Sequence, residues 1–297
     1  MILLAGGTGN LGPVLAKLLA SRGIPLRILT RDTSRARARL AGNLELVTGD
    51  VRVASSLSPA LAGVDTVISA VTGFGPGGDG PREVDFEGNQ NLIAAAVSAG
   101  VKHFVLVSIH GARADHPMNL YRAKFMAEER LRASGLDWTV IRPTAFMELW
   151  AGIVGDSLLK GGSATVFGRG QNPINLVSVE DVARFLELAV VDPTLRRTIL
   201  DIGGPENLTL NDVVATIATT NGLRPRARHI PVTALRVGAL LMRPFRADLA
   251  GLIQASLLMD TADMRFDPAA LQANYPQTRL IHLADIALAR RATTVAA

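Results

Sequence analysis

Seven residues, Gly6-Gly7-Thr8-Gly9-Asn10-Leu11-Gly12, follow directly on a short apolar run and open a helical pattern. Glycines at that spacing suit one piece of chemistry, the cradling of a pyrophosphate. Gly6 permits a tight turn, Gly9 lets backbone N–H groups approach the phosphates, and Gly12 lets the helix pack closely on the strand. The helix N-terminus adds unpaired N–H donors and partial positive charge. A second set of groups, Ser108, His110, His116, Tyr121 and Lys124, lies at the end of a later apolar run and in the loop and helix beyond it. Hydroxyl, imidazole, phenol and ammonium groups are the carriers of general acid–base chemistry. Tyr121 precedes Lys124 by three residues, roughly 60° round a helix, so one face presents both, with Tyr121 a candidate proton donor. Lys124 and Glu128 sit at helical spacing, which reads either as a site or as a solvated surface pair. The five histidines have no metal-ligand spacing and there is no cysteine, so no metal centre, disulfide or thiolate nucleophile is expected.

The end of the second apolar run bears on which dinucleotide is held. A site for NAD commonly carries an acidic residue there for the ribose 2′-hydroxyl. Here the chain reads Leu29-Thr30-Arg31-Asp32 with Arg35, Arg37 and Arg39 beyond. Arg31 can lie on adenine and fork a 2′-phosphate, with Arg35 as a second candidate, whereas Asp32 reads as a helix cap. This favours NADP(H). Asp50, after the third run, is placed to meet the adenine amino group, with Val51 beside it. Ser69-Ala70-Val71, after the fourth, is where backbone passes the phosphates and ribose.

These residues need a scaffold that brings strand ends together. Apolar runs at Ile2–Ala5, Leu26–Thr30, Leu44–Thr48, Thr66–Ala70, His103–Ser108 and Trp138–Arg142 read as strands. Helical patterns alternate with them at Asn10–Ser21, Ser34–Leu40, Ser55–Leu61, Arg82–Ala99 and Met118–Ala133. That alternation predicts an α/β fold, a Rossmann-type doubly wound parallel sheet with both faces covered. Thr72–Pro81, with five glycines and two prolines, reads as a lid too rich in glycine to pack. The pattern changes after Pro143: residues 1–150 read as an NAD(P)-binding domain and 151–297 as a smaller α/β substrate-binding portion, their segments interleaving. Within the latter, Gly155–Pro173 reads as loops with a short strand, Val179–Val190 as a helix, Thr198–Ile202 as a strand, and Thr209 with Asp212 as a capping box. Pro231–Met259 reads as amphipathic helical pieces, too broken by Arg236, Arg243, Pro244, Arg246 and Asp248 to span a membrane.

The 297 residues are 48% hydrophobic and 19% charged, which supports a large core and excludes global disorder. Lys and Arg number 31 against 26 Asp and Glu, a formal +5, but the basic residues are scattered and aromatics are few. No nucleic-acid surface is expected. With no targeting segment legible, the expectation is a cytoplasmic protein, monomer or homodimer, with a small-molecule substrate and no membrane partner.

Several stretches together resemble the NmrA-like, isoflavone-reductase-like branch of the atypical, or extended, short-chain dehydrogenase/reductases. They are the glycine turn, Thr30-Arg31-Asp32, Gly49-Asp50-Val51, the segments Val84–Ser108 and Tyr121–Glu148, Asn175–Ala183, and Asp201–Thr209. The resemblance covers nearly the whole chain. It implies a dinucleotide-binding domain, a smaller substrate domain and an active site in the cleft between them. Classical members of that superfamily carry Tyr and Lys four residues apart; this chain does not. The Lys124–Glu128 spacing resembles the lysine-centred site of the branch, which implies that Lys124 contacts the nicotinamide ribose and orients a proton relay. The resemblance also implies a substrate-binding hydroxyl at Ser108, with His110 within reach of substrate. It places the backbone at Pro143 over the nicotinamide, and Phe146 and Met147 at the substrate pocket. The function implied is an NADPH-dependent oxidoreductase reducing a carbonyl, enone, quinone or imine of a small apolar molecule. A cofactor-sensing regulator or a cofactor-assisted epimerase would share the same fold.

Overall fold

The computed structural model describes every residue except Asn43, Pro76, Arg243, Pro244, Ala296 and Ala297, and leaves aside the side chains of Ala247 and residues 290–295. The chain divides into two compact units, the first formed by Met1–Pro143 and Val182–Asp201, the second by Thr144–Asp181 and Ile202–Ala297.

The first unit is built on a parallel sheet. Its elements run β1 (Ile2–Ala5), α1 (Leu11–Ser21), β2 (Leu26–Thr30), α2 (Thr33–Arg39), β3 (Glu45–Thr48), β4 (Thr66–Ser69), α3 (Asn89–Ser98), β5 (His103–Val107), α4 (Asn119–Arg132) and β6 (Asp137–Pro143). The sheet has seven strands when β10 (Thr198–Ile202) is added at its edge beside β6, and from there the order continues β5, β4, β1, β2, β3. β1 pairs in parallel with both β2 and β4, Leu3 lying opposite Arg27 on one side and Val67 on the other. The chain therefore winds outward through β2 and β3, then returns to the other side of β1. The carboxyl ends of β1 and β4 flank that reversal, which is where doubly wound sheets bind ligands. β1 and β5 are buried along their whole length, so their apolar runs are continuous rather than alternating.

Two expected helices differ. Residues 54–61 form two short 3₁₀ turns, Ala54–Ser56 and Ser58–Leu61, where Pro59 supports a start but not a longer helix. The long helix expected over Arg82–Ala99 begins instead as a π-helical segment, Pro81–Gly88, and tightens to α only at Asn89. The wider turn follows Gly80, at φ +95°, and turns Val84, Asp85 and Gly88 inward. Such segments recur at functional sites.

In the second unit β7 (Ala145–Phe146) leads into α5 (Met147–Gly161), β8 (Ala164–Phe167) and β9 (Ile174–Val177). From Gly155 to Gly161, α5 occupies residues expected to be loop, while β8 is the short strand expected in that stretch. Trp150, Ala151, Val154 and Leu158 recur at helical spacing and are buried, while Gly155 packs under Ile217, whose Cδ1 would lie 3.1 Å from a Cβ there. Gly162, at φ +70°, stops the helix. α6 (Val179–Val191) straddles the two units. Beyond β10 come β11 (Asn207–Leu208), α7 (Leu210–Thr220), β12 (Ala227–Ile230), α8 (Val232–Met242), α9 (Ala247–Thr261), α10 (Ala269–Asn274) and α11 (Leu283–Val295). Thr209 and Asp212 form a reciprocal capping box at α7, as their spacing predicts. Asn175 ties this unit together, accepting from Thr144 Oγ1 at 2.9 Å and Gly204 N at 2.8 Å and donating to the Gly204 and Glu206 carbonyls. Asp181 is fully buried and accepts from Ile281 N at 2.9 Å. Among the described residues no helix is long and apolar enough to cross a membrane.

Candidate dinucleotide site and a buried lysine

The turn from β1 to α1 has no room for side chains except where one would face a ligand. Gly6 has φ +89°, and a Cβ there would lie 2.5 Å from the Ala70 carbonyl oxygen. At Gly12 it would lie 2.3 Å from the Gly7 carbonyl. At Gly9 the nearest atom is 3.5 Å away, so the chain itself does not require glycine there. Asn10 makes no side-chain cap to α1, and the first turn holds no acidic residue. A helix N-terminus without a side-chain cap offers its first N–H groups to an anion, and Thr8, Gly9 and Asn10 are at least partly exposed beside it. These features fit a dinucleotide pyrophosphate.

At the ends of β2 and β3 the residues are brought together differently from expectation. Asp32 caps α2 through Arg35 N, as anticipated, while the Arg35 side chain is exposed on that helix. Arg31 Nη1 pairs with Asp79 Oδ2 at 2.6 Å. Asp50 is engaged by Arg52, whose Nη2 lies 2.6 Å from Oδ2, and that guanidinium holds its carboxyl below the usual range. Val51 is buried and its carbonyl accepts from Asn91 Nδ2. The segment Thr72–Pro81 contradicts its reading as too glycine-rich to pack. Gly80 N donates to Gly73 O at 3.2 Å, and a Cβ on Gly73 or Gly78 would meet backbone at 2.1 Å. Here glycine permits backbone to pack on backbone.

Lys124 is neither a surface residue nor a partner of Glu128. Its side chain is 6% exposed, and Nζ lies 3.0 Å from Asp85 Oδ1 and donates to the carbonyls of Val71 and Val107, each at 2.9 Å. Two hydrogen bonds of the ammonium thus go to carbonyls, and the carboxylate contact is an ion pair in which Asp85 Oδ1 itself has no hydrogen-bond partner among the described residues. Asp85, fully buried, uses its other oxygen to accept from Gly73 N at 2.8 Å. Asn89, one turn on, donates to Asp85 O and accepts from Ser69 Oγ at 2.6 Å. The lysine thereby fastens the ends of β4 and β5 to the π-helical segment.

Glu128 has its own partners. It is fully buried and accepts from Arg142 Nε at 2.9 Å, from Arg142 Nη2 and from Ser108 Oγ. The carboxylate raises the Arg142 pKa. Ser108, expected to offer a hydroxyl to substrate, is 4% exposed and spends it on Glu128. Its N–H donates to Ile141 O.

His110 is half-exposed, with Nδ1 2.7 Å from Asp201 Oδ1 on β10, and its backbone N–H donates to Pro143 O. Tyr121 stacks on His116, ring centroids 3.8 Å apart, and burial pushes its hydroxyl pKa up to about 12. Burial and then Arg113 hold the His116 pKa below the ordinary value, and its Nδ1 accepts from Met118 N. In the second unit Phe146 is half-buried opposite Val177, and Met147 is core, at 1% exposure.

Sequence reading did not single out Asp85, Asn89, Arg52, Asp79 or Asp201. The one available signal was polar residues at helical spacing in Val84–Asn91, a stretch otherwise expected to cover a sheet.

A doubly wound parallel sheet with a glycine turn at its point of reversal defines a dinucleotide-binding protein. The family model described as NAD(P)H-binding matches residues 6–193. The chain is 31% identical over 236 residues to an NAD(P)H azoreductase of Xenophilus azovorans, covering 78% of this chain and 77% of the other. It is 30% identical over 236 residues to a photosystem II assembly factor of Synechocystis, covering 79% and 72%. Its fold matches an NADPH-dependent quinone oxidoreductase of Escherichia coli, solved with NADPH, at a TM-score of 0.78 over 97% of this chain and 98% of that one, with 20% identity. The chain belongs to the NAD(P)H-binding oxidoreductase family of the NmrA-like, atypical short-chain dehydrogenase/reductase kind.

Proposed function

We propose that this protein is an NADPH-dependent reductase that delivers a hydride to a carbonyl, enone, quinone or imine of a small apolar molecule. The observation that carries this reading is the uncapped, glycine-lined N-terminus of α1 beside the Ala70 backbone, with arginine rather than an acid following β2. Relatives and neighbours support it, since azo compounds and quinones, like enones and imines, have an unsaturated bond that accepts a hydride and then a proton.

When bound, the nicotinamide would supply the hydride. Gly6, Thr8, Gly9, Asn10, Leu11 and Gly12 would hold the pyrophosphate, and Ser69, Ala70, Val71 and Pro143 would line the path of ribose and nicotinamide. Arg31 would bind the adenine ribose phosphate, with Asp50 and Val51 bordering adenine and Arg35 lending field rather than contact. The proton falls to His110. Its Nδ1 lies 2.7 Å from the Asp201 carboxylate, which orients the imidazole as a proton carrier. Tyr121 is a poorer donor, because its hydroxyl is pushed up to about 12 and holds its proton at neutral pH. Lys124 and Ser108 are positioning residues in this scheme, the ammonium bonded to two carbonyls and ion-paired with Asp85, the hydroxyl given to Glu128. Phe146, half-buried, would be an aromatic wall for the substrate.

The test is NADPH absorbance in single turnover, with quinones, enones, ketones, imines and azo compounds offered to wild type, His110→Asn and Asp201→Asn. Oxidation by wild type, slowed about 10²-fold by His110→Asn with NADPH affinity intact, supports the reading. Tight binding with no oxidation across the panel overturns it.

A further inference from the structure

We propose that Arg31 and Arg52 together form the clamp for the 2′-phosphate of NADPH, and that Asp79 is a built-in occupant of that clamp which the phosphate displaces. The proposal rests on the dinucleotide reading above. β2 and β3 are neighbouring parallel strands, so the residues after them emerge at the same end of the sheet. Arg31 directly follows β2, and Arg52 lies in the turn beyond β3. Their guanidinium groups converge on one carboxylate, Arg31 Nη1 on Asp79 Oδ2 at 2.6 Å and Arg52 Nη1 on Asp79 Oδ1 at 2.7 Å. Two guanidinium forks aimed at the two oxygens of a single anion make the recognition geometry of a phosphate, which offers three oxygens and up to two charges where the carboxylate offers two and one.

Asp79 reaches this place from the glycine-rich segment between β4 and the π-helical turn. That segment is anchored at its base, where Gly73 N donates to Asp85 and Gly80 N to Gly73 O. Between those anchors Gly75 and Gly77 adopt positive φ, and a Cβ on either would meet nothing within 4 Å. Asp79 itself is held between Gly78 and Gly80, so what leaves the clamp is its partly exposed side chain, which can turn out to solvent while the backbone stays on Gly73. All three side chains are partly exposed, at 61%, 36% and 34% for Arg31, Arg52 and Asp79, so the ion pairs are individually weak and exchangeable. Arg52 is oriented by a second carboxylate, Asp50, which stays behind when Asp79 leaves. A 2′-hydroxyl carries no charge with which to drive the exchange. The device thus discriminates between NADPH and NADH through displacement as well as attraction.

Titration calorimetry with NADPH, NADH, adenosine 2′,5′-bisphosphate and 5′-AMP tests this without any turnover. Arg52→Ala should weaken NADPH and the bisphosphate about tenfold or more and leave NADH and 5′-AMP within about twofold. Asp79→Asn should tighten NADPH and the bisphosphate several-fold, since the competitor is removed, and leave NADH unimproved. Arg22→Ala, which deletes an exposed arginine paired with Glu187, controls for net charge. NADPH binding unchanged in Arg52→Ala, or weakened in Asp79→Asn, would overturn the clamp while leaving the dinucleotide site standing. Failure of every nucleotide to bind wild type would overturn both.

Discussion

Lys124 Nζ and Asp85 Oδ1 lie 3.0 Å apart in a place where neither side chain is more than 6% exposed, linking the middle of α4 to the π-helical segment before α3. A lysine that the sequence offers as a cofactor-site residue, with a solvated pair to Glu128 as the alternative, is thus a buried cross-link. Removing one partner of a buried pair leaves the other charge uncompensated. Lys124→Met should cost roughly 3–5 kcal/mol in urea unfolding, against under about 1 kcal/mol for an exposed pair. Combining it with Asp85→Asn should recover a large part of that loss. A single-variant cost under about 1 kcal/mol would show that the pair is not buried in solution.

The glycine turn separates folding from binding. Gly12→Ala places a Cβ 2.3 Å from the Gly7 backbone, so it should lower Tm sharply or prevent folding. Gly9→Ala meets nothing closer than 3.5 Å, so Tm should stay within a few degrees of wild type. The methyl group would stand where backbone N–H groups are to receive the pyrophosphate, and NADPH affinity should fall at least tenfold. Protein fluorescence on NADPH titration, beside thermal melts, reads both effects. Wild-type affinity in Gly9→Ala would move the phosphates away from this turn.

What was legible in the sequence depended on the range of the interactions. The six strands of the sheet before residue 143 follow from local apolar runs, and the Thr209–Asp212 box and the Asp32 cap from contacts over three residues. The glycine turn was equally local. Partners chosen by the topology were not legible. Glu128 turns to Arg142 and Ser108 because β5 and β6 are neighbours, and Lys124 turns to Asp85 because the π-helical segment packs against α4. Nothing in a spacing of four residues distinguishes those outcomes from a Lys124–Glu128 bridge. Of the loops with a short strand expected over Gly155–Pro173, the strand is present as β8, but residues 155–161 continue α5: Gly155 disfavours helix locally, and its packing against Ile217, far along the chain, leaves no local signal.

Glu128 should tolerate amidation better than truncation. Glu128→Gln keeps an acceptor for Ser108 and Arg142 but loses the charge, whereas Glu128→Ala strands both donors and opens a void. Stability losses of about 1.5–3 kcal/mol for the first and a larger loss for the second are expected. Denaturant midpoints at constant m-value decide this. Equal losses would mean that the carboxylate acts as bulk rather than as a hydrogen-bonding centre.

His103 sets an acid limit on stability. It is 2% exposed on β5, with Nε2 3.0 Å from Thr139 Oγ1 and Arg196 against the ring. Burial first, and then the Arg196 charge, lower its pKa from 6.5 to about 3. Between those values the unfolded chain binds a proton that the folded chain refuses. Stability therefore falls as pH drops below about 6.5, and this group adds no slope above it. The full slope is one proton, about 1.4 kcal/mol per pH unit. Urea unfolding of wild type and His103→Gln at pH values from about 7 down to 4.5 isolates that contribution, because the carboxylates titrate alike in both proteins. The variant should be the less stable at neutral pH, where it loses a fitted ring, and its stability should fall more shallowly towards acid. Parallel curves would show that His103 protonates in the folded protein as readily as in the unfolded chain, and the acid limit would then belong to carboxylates that the fold holds below their usual range, Asp50, Asp65, Asp192 and Asp263 among them.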